Sequence, residues 1–387
     1  MHIHTLKELY IQLKHSNLNK VTQFYLNLFY IKVLIMEIQE SSISKEKFVH
    51  LNIQRHIKDN TTLCNGEFLK GLKWLESNGW IEINHSYCVG SYTKGYKAIY
   101  KEGDGFITVD SKKLIGTKTL NAYKKKKSLM DSNLQVEIFN HLKINEEKLN
   151  LAIISKFNKS YSELTLDIKN KEEFYYQYSI EMWKNKNFSF SVSELTGRLY
   201  SNLTNLPKLI RNCLEDDRGL KIYTIDIVNS QPSLILSLIK KNNLNCENKM
   251  IKIIETGKFY EEIGKILKID NRDYTKEIFY SNLAFADSSI IKHSAHTNKI
   301  KNKYPEFINS ILELSNQTES LAAQLQKIES DLIFNFIKST NLKCCTIHDC
   351  LLLSVKKEYL VKKINLEFKN YLIKETNINI KTKVEEL

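Results

Sequence analysis

The chain has 387 residues, 42% hydrophobic and 26% charged, enough for two or three domains with a sizeable core and too apolar for a disordered segment. Lysine and arginine outnumber aspartate and glutamate 57 to 44, giving a formal charge of +13 and a pI of about 9.1. That surplus favours a polyanionic partner, nucleic acid before an anionic membrane surface.

The most apolar run, Phe24 to Ile38, contains Asn27, Lys32 and Glu37 and falls short of the ~18 residues of a membrane span, so no membrane partner is expected. No secretory leader pattern is visible, and seven unevenly scattered cysteines do not make a disulfide framework in a chain this long. A reducing cytoplasm is the expectation. Glycine (12) and proline (3) are scarce, which argues for many helices and few tight turns.

In chain order, residues 1–44 read as an N-terminal segment of one or two amphipathic helices. Residues 45–105 change character. Gly66 to Leu75 has helical spacing, Asn78-Gly79 breaks it, and Trp80–Ile83, Tyr87–Gly90 and Gly95–Tyr100 read as short strands. Helix followed by ribbon is the pattern of a winged helix, or of a small α+β packing unit with no ligand. Residues 106–127 read as a basic linker ending in Lys124–Lys127, and 128–190 as helices rich in Tyr, Phe and Lys.

Three signals in residues 191–387 carry chemistry. An apolar strand leads from Leu220 to Asp226 near its end, and Pro232-Ser233 opens an apolar helix. Further on, Cys344 to Val355 reads as two apolar strands around His348-Asp349, a hairpin with an acidic tip. Two carboxylates on strand ends far apart in sequence suit a two-metal phosphoryl-transfer site, since Mg²⁺ takes hard oxygen ligands and draws the rest from water and phosphate. Taken alone, either aspartate is equally a turn former. The third signal places Arg272, Lys276 and Tyr280 four residues apart, on one helix face, to grip a triphosphate and stack on a nucleotide; alone it reads as a solvated basic face. Cys344, Cys345 and Cys350 with His348 lack the spacing of a zinc motif.

These residues resemble the polymerase core of family A DNA polymerases, whose palm is shared with single-subunit phage-type RNA polymerases. Thr196-Gly197-Arg198-Leu199-Tyr200-Ser201 with Asn205-Leu206-Pro207 resembles that family's T-G-R-L-S-S…N-L-Q segment. Asp226 is similar to the metal-binding Asp of motif A. Arg272, Lys276 and Tyr280 match the R-x3-K-x3-[FY] of motif B, and His348-Asp349 the H-D of motif C. Leu325 to Ile333, with Gln326, is similar to the Q-centred helix before motif C. The resemblance covers about 190–370.

It implies an α+β, helix-rich polymerase right hand: an antiparallel palm sheet, trimmed helical fingers, a thumb in 128–190 and a small winged-helix-like N-terminal domain. It further implies a template-directed nucleotidyltransferase, DNA polymerase favoured over RNA polymerase or primase. Asp226 and Asp349 are then expected to hold two Mg²⁺ ions, or Mn²⁺, and Lys276 to act as a catalytic proton donor. Arg272, Lys276, Tyr280 and Gln231 are expected to bind the nucleoside triphosphate, and Arg198, Asn205, Gln326 and His348 the DNA or RNA primer–template.

Two departures bear on the sugar. Gln231 stands where the family has a Glu that blocks the ribose 2′-OH, and Ala284 where many members carry a bracing Tyr. A neutral amide beside a small residue leads us to expect weak sugar discrimination or a ribonucleotide preference. Cys350 replaces a frequent Glu after Asp349. The small size and absent editing domain suggest a mobile element, plasmid or phage, with replication proteins as partners. The alternative is a catalytically degenerate nucleic-acid-binding replication or regulatory protein acting through its winged-helix-like part.

Overall fold

The computed structural model describes residues 2–40, 48–51, 65–85, 94–100, 106–110, 138–160, 166–184, 190–193, 195–316 and 320–387. Two compact units emerge: residues 1–129, 144–189 and 206–213 form one, and 130–143, 190–205 and 214–387 the other. The strand expected at Tyr87–Gly90 and the lysine run at 124–127 lie outside the described residues.

The first unit opens with β1 (His2–Leu6), α1 (Lys7–His15) and α2 (Lys20–Glu40). It continues with β2 (Val49–His50), α3 (Asn65–Ser77), β3 (Ile81–Asn84), β4 (Gly95–Ala98) and β5 (Phe106–Asp110). Residues 106–110, expected to begin a linker, instead pair antiparallel with β1, from Leu6 opposite Phe106 to His2 opposite Asp110. Non-local pairing of this kind has no local signature in either segment.

The helix α2 is not the amphipathic helix that its polar residues suggested. Phe24, Tyr25, Leu26, Phe29, Tyr30, Val33 and Leu34 are all buried, because α1, α3, α5, β1 and β4 cover it on several sides. Its buried polar groups are satisfied inside: Thr5 Oγ1 donates to Asn27 Oδ1 (2.6 Å), and the Ala98 amide donates to Glu37. By length and composition alone, Lys20–Ile38 is long and apolar enough to cross a membrane, which the count of apolar residues had not suggested; 67% of that stretch is buried within the unit.

Edge-to-face rings fill the surrounding core, Phe29 against Phe68 and Tyr96, and Tyr30 against Trp80. A Cβ on Gly71 would stand 2.6 Å from Leu26 Cδ1, so glycine is what lets α3 approach α2. The β3–β4 ribbon follows α3, the expected helix-then-ribbon arrangement, and β2, from before the helix, adds to β4 to give a three-stranded antiparallel sheet in the order β2-β4-β3. Two further helices, α4 (Glu146–Ser160) and α5 (Leu166–Lys184), belong to this unit, with α5 packed on α2.

The second unit includes a hairpin of β6 (Phe190–Val192) and β7 (Leu199–Ser201). Its main sheet combines β8 (Lys221–Ile227), β9 (Cys345–Ile347), β10 (Cys350–Val355) and β11 (Thr382–Glu386), in the order β9-β10-β8-β11 and antiparallel throughout. Between β8 and β9 run α6 (Ser230–Lys241), α7 (Asn248–Glu255), α8 (Phe259–Leu267), α9 (Arg272–Phe279), α10 (Pro305–Ser315) and α11 (Leu321–Thr340). One more helix, α12 (Glu358–Thr376), packs on β10 and β11.

The sheet's pleat separates two faces. Tyr223, Ile225, Ile227, Leu351 and Leu353 point into the core shared with the helices. Thr224 and Asp226 lie on the other face and are only half-buried. The same alternation that makes the core delivers Asp226 to the accessible side.

Candidate active site

The strand β8 ends just after Asp226. Asn229, with φ 54°, then turns the chain in the left-handed region that Asn tolerates, and α6 starts at Ser230. On the neighbouring strands, β9 and β10 are joined by the two residues His348-Asp349, with Ile347 opposite Cys350 and His348 at φ 54°. A positive φ at the first loop residue belongs to the primed turns that match the twist of paired strands. Asp226 stands directly opposite Cys350, and the Ile227 amide donates to the Asp349 carbonyl at 3.4 Å. The two aspartates expected to act together are thus at one end of one sheet.

Their electrostatics are unfavourable as they stand. Burial pushes the Asp349 carboxyl up to about 8, and the charges of Glu329 and Asp226 push the same way. Asp226 is also raised, again chiefly by burial; Lys276 and Lys383 pull it down, and Glu385 opposes them. Lys383 lies opposite Asp226 across β8 and β11, so it shares that face. Among the described residues no group of three or more His, Cys, Asp or Glu is placed to hold a metal ion. The donor set is two hard carboxylates in mutual repulsion. It fits Mg²⁺, which needs few protein ligands, and it does not fit a thiolate-bound metal.

The helix α9 presents its cations to the same place. Asn271 caps it, its side chain accepting from the Tyr274 amide at 3.0 Å. Arg272 donates to Glu261 (3.1 Å) and to Asn229 Oδ1 (3.4 Å), with its guanidinium 5.0 Å from the centre of the Tyr260 ring. The Lys276 charge acts on both Asp226 and Asp349. Tyr280 opens a π-helical turn, Tyr280–Ala284, in which the Phe285 amide reaches back to the Tyr280 carbonyl at 2.9 Å. Such turns often sit at functional sites, because one extra residue re-aims the side chains around it. Tyr280 stacks on Phe285 (4.9 Å, 5°), its hydroxyl lies 3.5 Å from that of Tyr260, and burial raises both phenols. Ala284 is fully buried in the same turn.

The hub of the site is a residue that sequence reasoning did not single out. Glu329, on α11, is 2% exposed and accepts from three residues of two segments: Arg198, and Ser230 Oγ (2.9 Å) with Gln231 Nε2 (2.5 Å) at the start of α6. Arg198, expected to reach the primer–template, is instead turned inward to Glu329 and is only 16% exposed. The turn that carries it needs Gly197 at φ 66°.

Gln326 is half-buried one turn before Glu329 on α11, and Asn205 is exposed at the end of the short helix after β7. His348 meets the Tyr200 ring edge-on at 5.9 Å. A signal for Glu329 was present: Leu321, Leu325, Glu329, Leu332 and Phe336 form one buried stripe, and a carboxylate on such a stripe needs buried partners.

No family model matches the chain, and no curated protein matches it. Among solved structures, the chain is similar to the POL domain of Pol1 from M. smegmatis in complex with DNA primer-template and dNTP, with a TM-score of 0.45 and 13% identity. The similarity covers 63% of this chain and 55% of that one, so the chain spans about half the length of that structure.

Proposed function

We propose that the second unit is a template-directed nucleotidyltransferase, a DNA or RNA polymerase that adds nucleotides to a 3′-hydroxyl. The observation that supports it most is the convergence of Asp226 and Asp349 at one sheet end, with the charge of Lys276 acting on both. Asp226 and Asp349 would hold two Mg²⁺ ions, or Mn²⁺, whose chemistry is to ease ionisation of the attacking hydroxyl and to offset charge on the leaving pyrophosphate. The chain's own residues position and stabilise. Arg272 and Lys276 bind the triphosphate. Tyr280 gives the nucleotide an aromatic face.

As the 3′-oxygen bonds to the α-phosphorus, the bond to pyrophosphate breaks. The hydroxyl proton leaves to solvent, and Lys276 supplies a proton to the pyrophosphate. Asn205, Gln326 and His348 contact the primer–template, while Arg198 acts through the turn it anchors. The first unit, with its helix-then-ribbon segment and the chain's positive charge, adds nucleic-acid affinity in the manner of a winged helix. The proposed setting is a mobile element, plasmid or phage, in a reducing cytoplasm, with replication proteins as partners.

The test is primer extension with Mg²⁺, a primed DNA template and deoxy- or ribonucleotides in parallel. Asp226→Ala and Asp349→Ala should each lower extension by about 10³-fold or more while nucleic-acid binding persists. Tight binding without extension by the unaltered protein would move the reading to a non-catalytic replication or regulatory protein.

A further inference from the structure

The first unit carries an open cleft between the end of α1 and one face of α3. Glu67, Lys70 and Trp74, three and then four residues apart, share that face of α3. The neighbouring face, with Phe68, Gly71, Leu72 and Leu75, is buried in the unit. The other wall is the segment from His15 to Leu18, at the end of α1 and just beyond it, and the space between measures about 500 Å³. That is the size of a small-ligand site. Trp74 is only half-buried there. Helical side chains lean toward the N-terminus, so its indole lies over the turn that carries Lys70.

The groups that meet in the cleft select a ligand by its chemistry. An indole plane takes a flat ring by stacking. The Glu67 carboxylate is held at both oxygens, Oε1 accepting from Lys70 Nζ (3.0 Å) and Oε2 from Asn19 Nδ2 (3.2 Å), and each oxygen keeps a further lone pair. Two fixed acceptors side by side match two neighbouring donors. Guanine presents such a pair, N1–H and the N2 amino group, on its Watson–Crick edge; each other base has a single donor group there. Lys70 and His15 stand beside the carboxylate as partners for a flanking phosphate.

We propose that this cleft binds an unpaired guanine of a nucleic-acid strand, with Trp74 stacking on the base, Glu67 reading its edge and Lys70 meeting its phosphate. In a duplex that edge is paired, so the site takes single-stranded nucleic acid and differs from the duplex contact of a winged helix. The chain's charge of +13 favours a strand over a lone nucleotide. The site lies wholly in the first unit and is independent of the nucleotidyltransferase reading of the second.

The test is binding of fluorescein-labelled thymidine 12-mers to the full chain in EDTA, either uniform or with one central guanine or one central inosine, which lacks the N2 amino group. Trp80 and Trp183 are buried, so quenching of tryptophan fluorescence reports on Trp74. The guanine strand should bind about tenfold more tightly than the uniform one and quench Trp74, and inosine should lose most of that gain. Trp74→Ala and Glu67→Gln should each bring the three strands to within about twofold. Should either variant fail to fold, the strand series on the unaltered protein decides. Equal affinity for all three strands overturns the guanine site while leaving general nucleic-acid affinity in place. A guanine preference that persists in both variants overturns the cleft as its location. Quenching by GMP at the same concentration as by the guanine strand assigns the cleft to a free nucleotide and overturns the strand.

Discussion

Asp226 and Asp349 share one sheet end because the amide of Ile227 donates to the Asp349 carbonyl at 3.4 Å, tying the end of β8 to the tip of the β9–β10 hairpin. The hydrogen bond fixes two carboxylates in a place where neither is comfortable. Asp349 is pushed up to about 8 by burial first, then by Glu329 and Asp226. Between the ordinary carboxylate range and about pH 8, the folded chain holds a proton that the unfolded chain has released. Stability of the metal-free protein should therefore fall as pH rises through that window and return as pH is lowered. Thermal melts in EDTA from pH 5 to 8 should show this decline, and Asp349→Asn should flatten it. Added Mg²⁺ should raise Tm more at pH 8 than at pH 5. A Tm that is level across the window, or an equal effect of Mg²⁺ at both ends, would sink the assignment.

Glu329 should be worth more to stability than any exposed ion pair of the unit. It is 2% exposed and accepts from Arg198, Ser230 and Gln231. Glu329→Ala leaves the mostly buried Arg198 guanidinium and two further donors without their acceptor, at a cost of about 3–5 kcal/mol in denaturant unfolding. Glu329→Leu together with Arg198→Leu should recover part of that loss, because it removes the uncompensated charge. A Glu329→Ala cost below about 1 kcal/mol would show that the network relaxes around the gap.

What could be read from sequence follows the range of the forces involved. The strand to Asp226, the two-residue hairpin loop at His348-Asp349 and the helix of Arg272 and Lys276 are local patterns, and each stands where its pattern put it. The hub at Glu329 is not local, since its partners Arg198 and Gln231 come from other segments. Only its place on an apolar stripe hinted at it. Residues 106–110 are a strand because β1 is there to pair with them. The helix α2 presents apolar residues on several faces, and periodicity alone does not say what covers them.

His348 holds a conformation that L-residues adopt at a cost. At φ 54° its Cβ crowds the backbone, and the contact with Tyr200 at 5.9 Å partly offsets this. His348→Gly and His348→Ala both delete the ring, so their difference isolates the backbone. The glycine variant should be more stable than the alanine variant by about 1 kcal/mol in urea unfolding. Equal stability would show that the turn re-forms with another geometry.

Lys276 acts on the site through charge more than through contact. Its ammonium lies 5.7 Å from the Tyr280 ring centre, and its field lowers both Asp226 and Asp349. Lys276→Met keeps most of the stem and removes the charge. In EDTA both carboxyls should then be still harder to ionise, so the fall in Tm with rising pH should extend to higher pH than in the unaltered protein. With Mg²⁺ and a primed template, KM for the nucleotide should rise by about tenfold or more and kcat should fall with it, because the role proposed for Lys276 is both to grip the triphosphate and to protonate the leaving pyrophosphate. Lys276→Arg restores the charge with a guanidinium that stays protonated, so it should recover KM and the pH dependence of Tm but not kcat. Full recovery of kcat by arginine would remove the proton-donor role and leave Lys276 as a binding cation only.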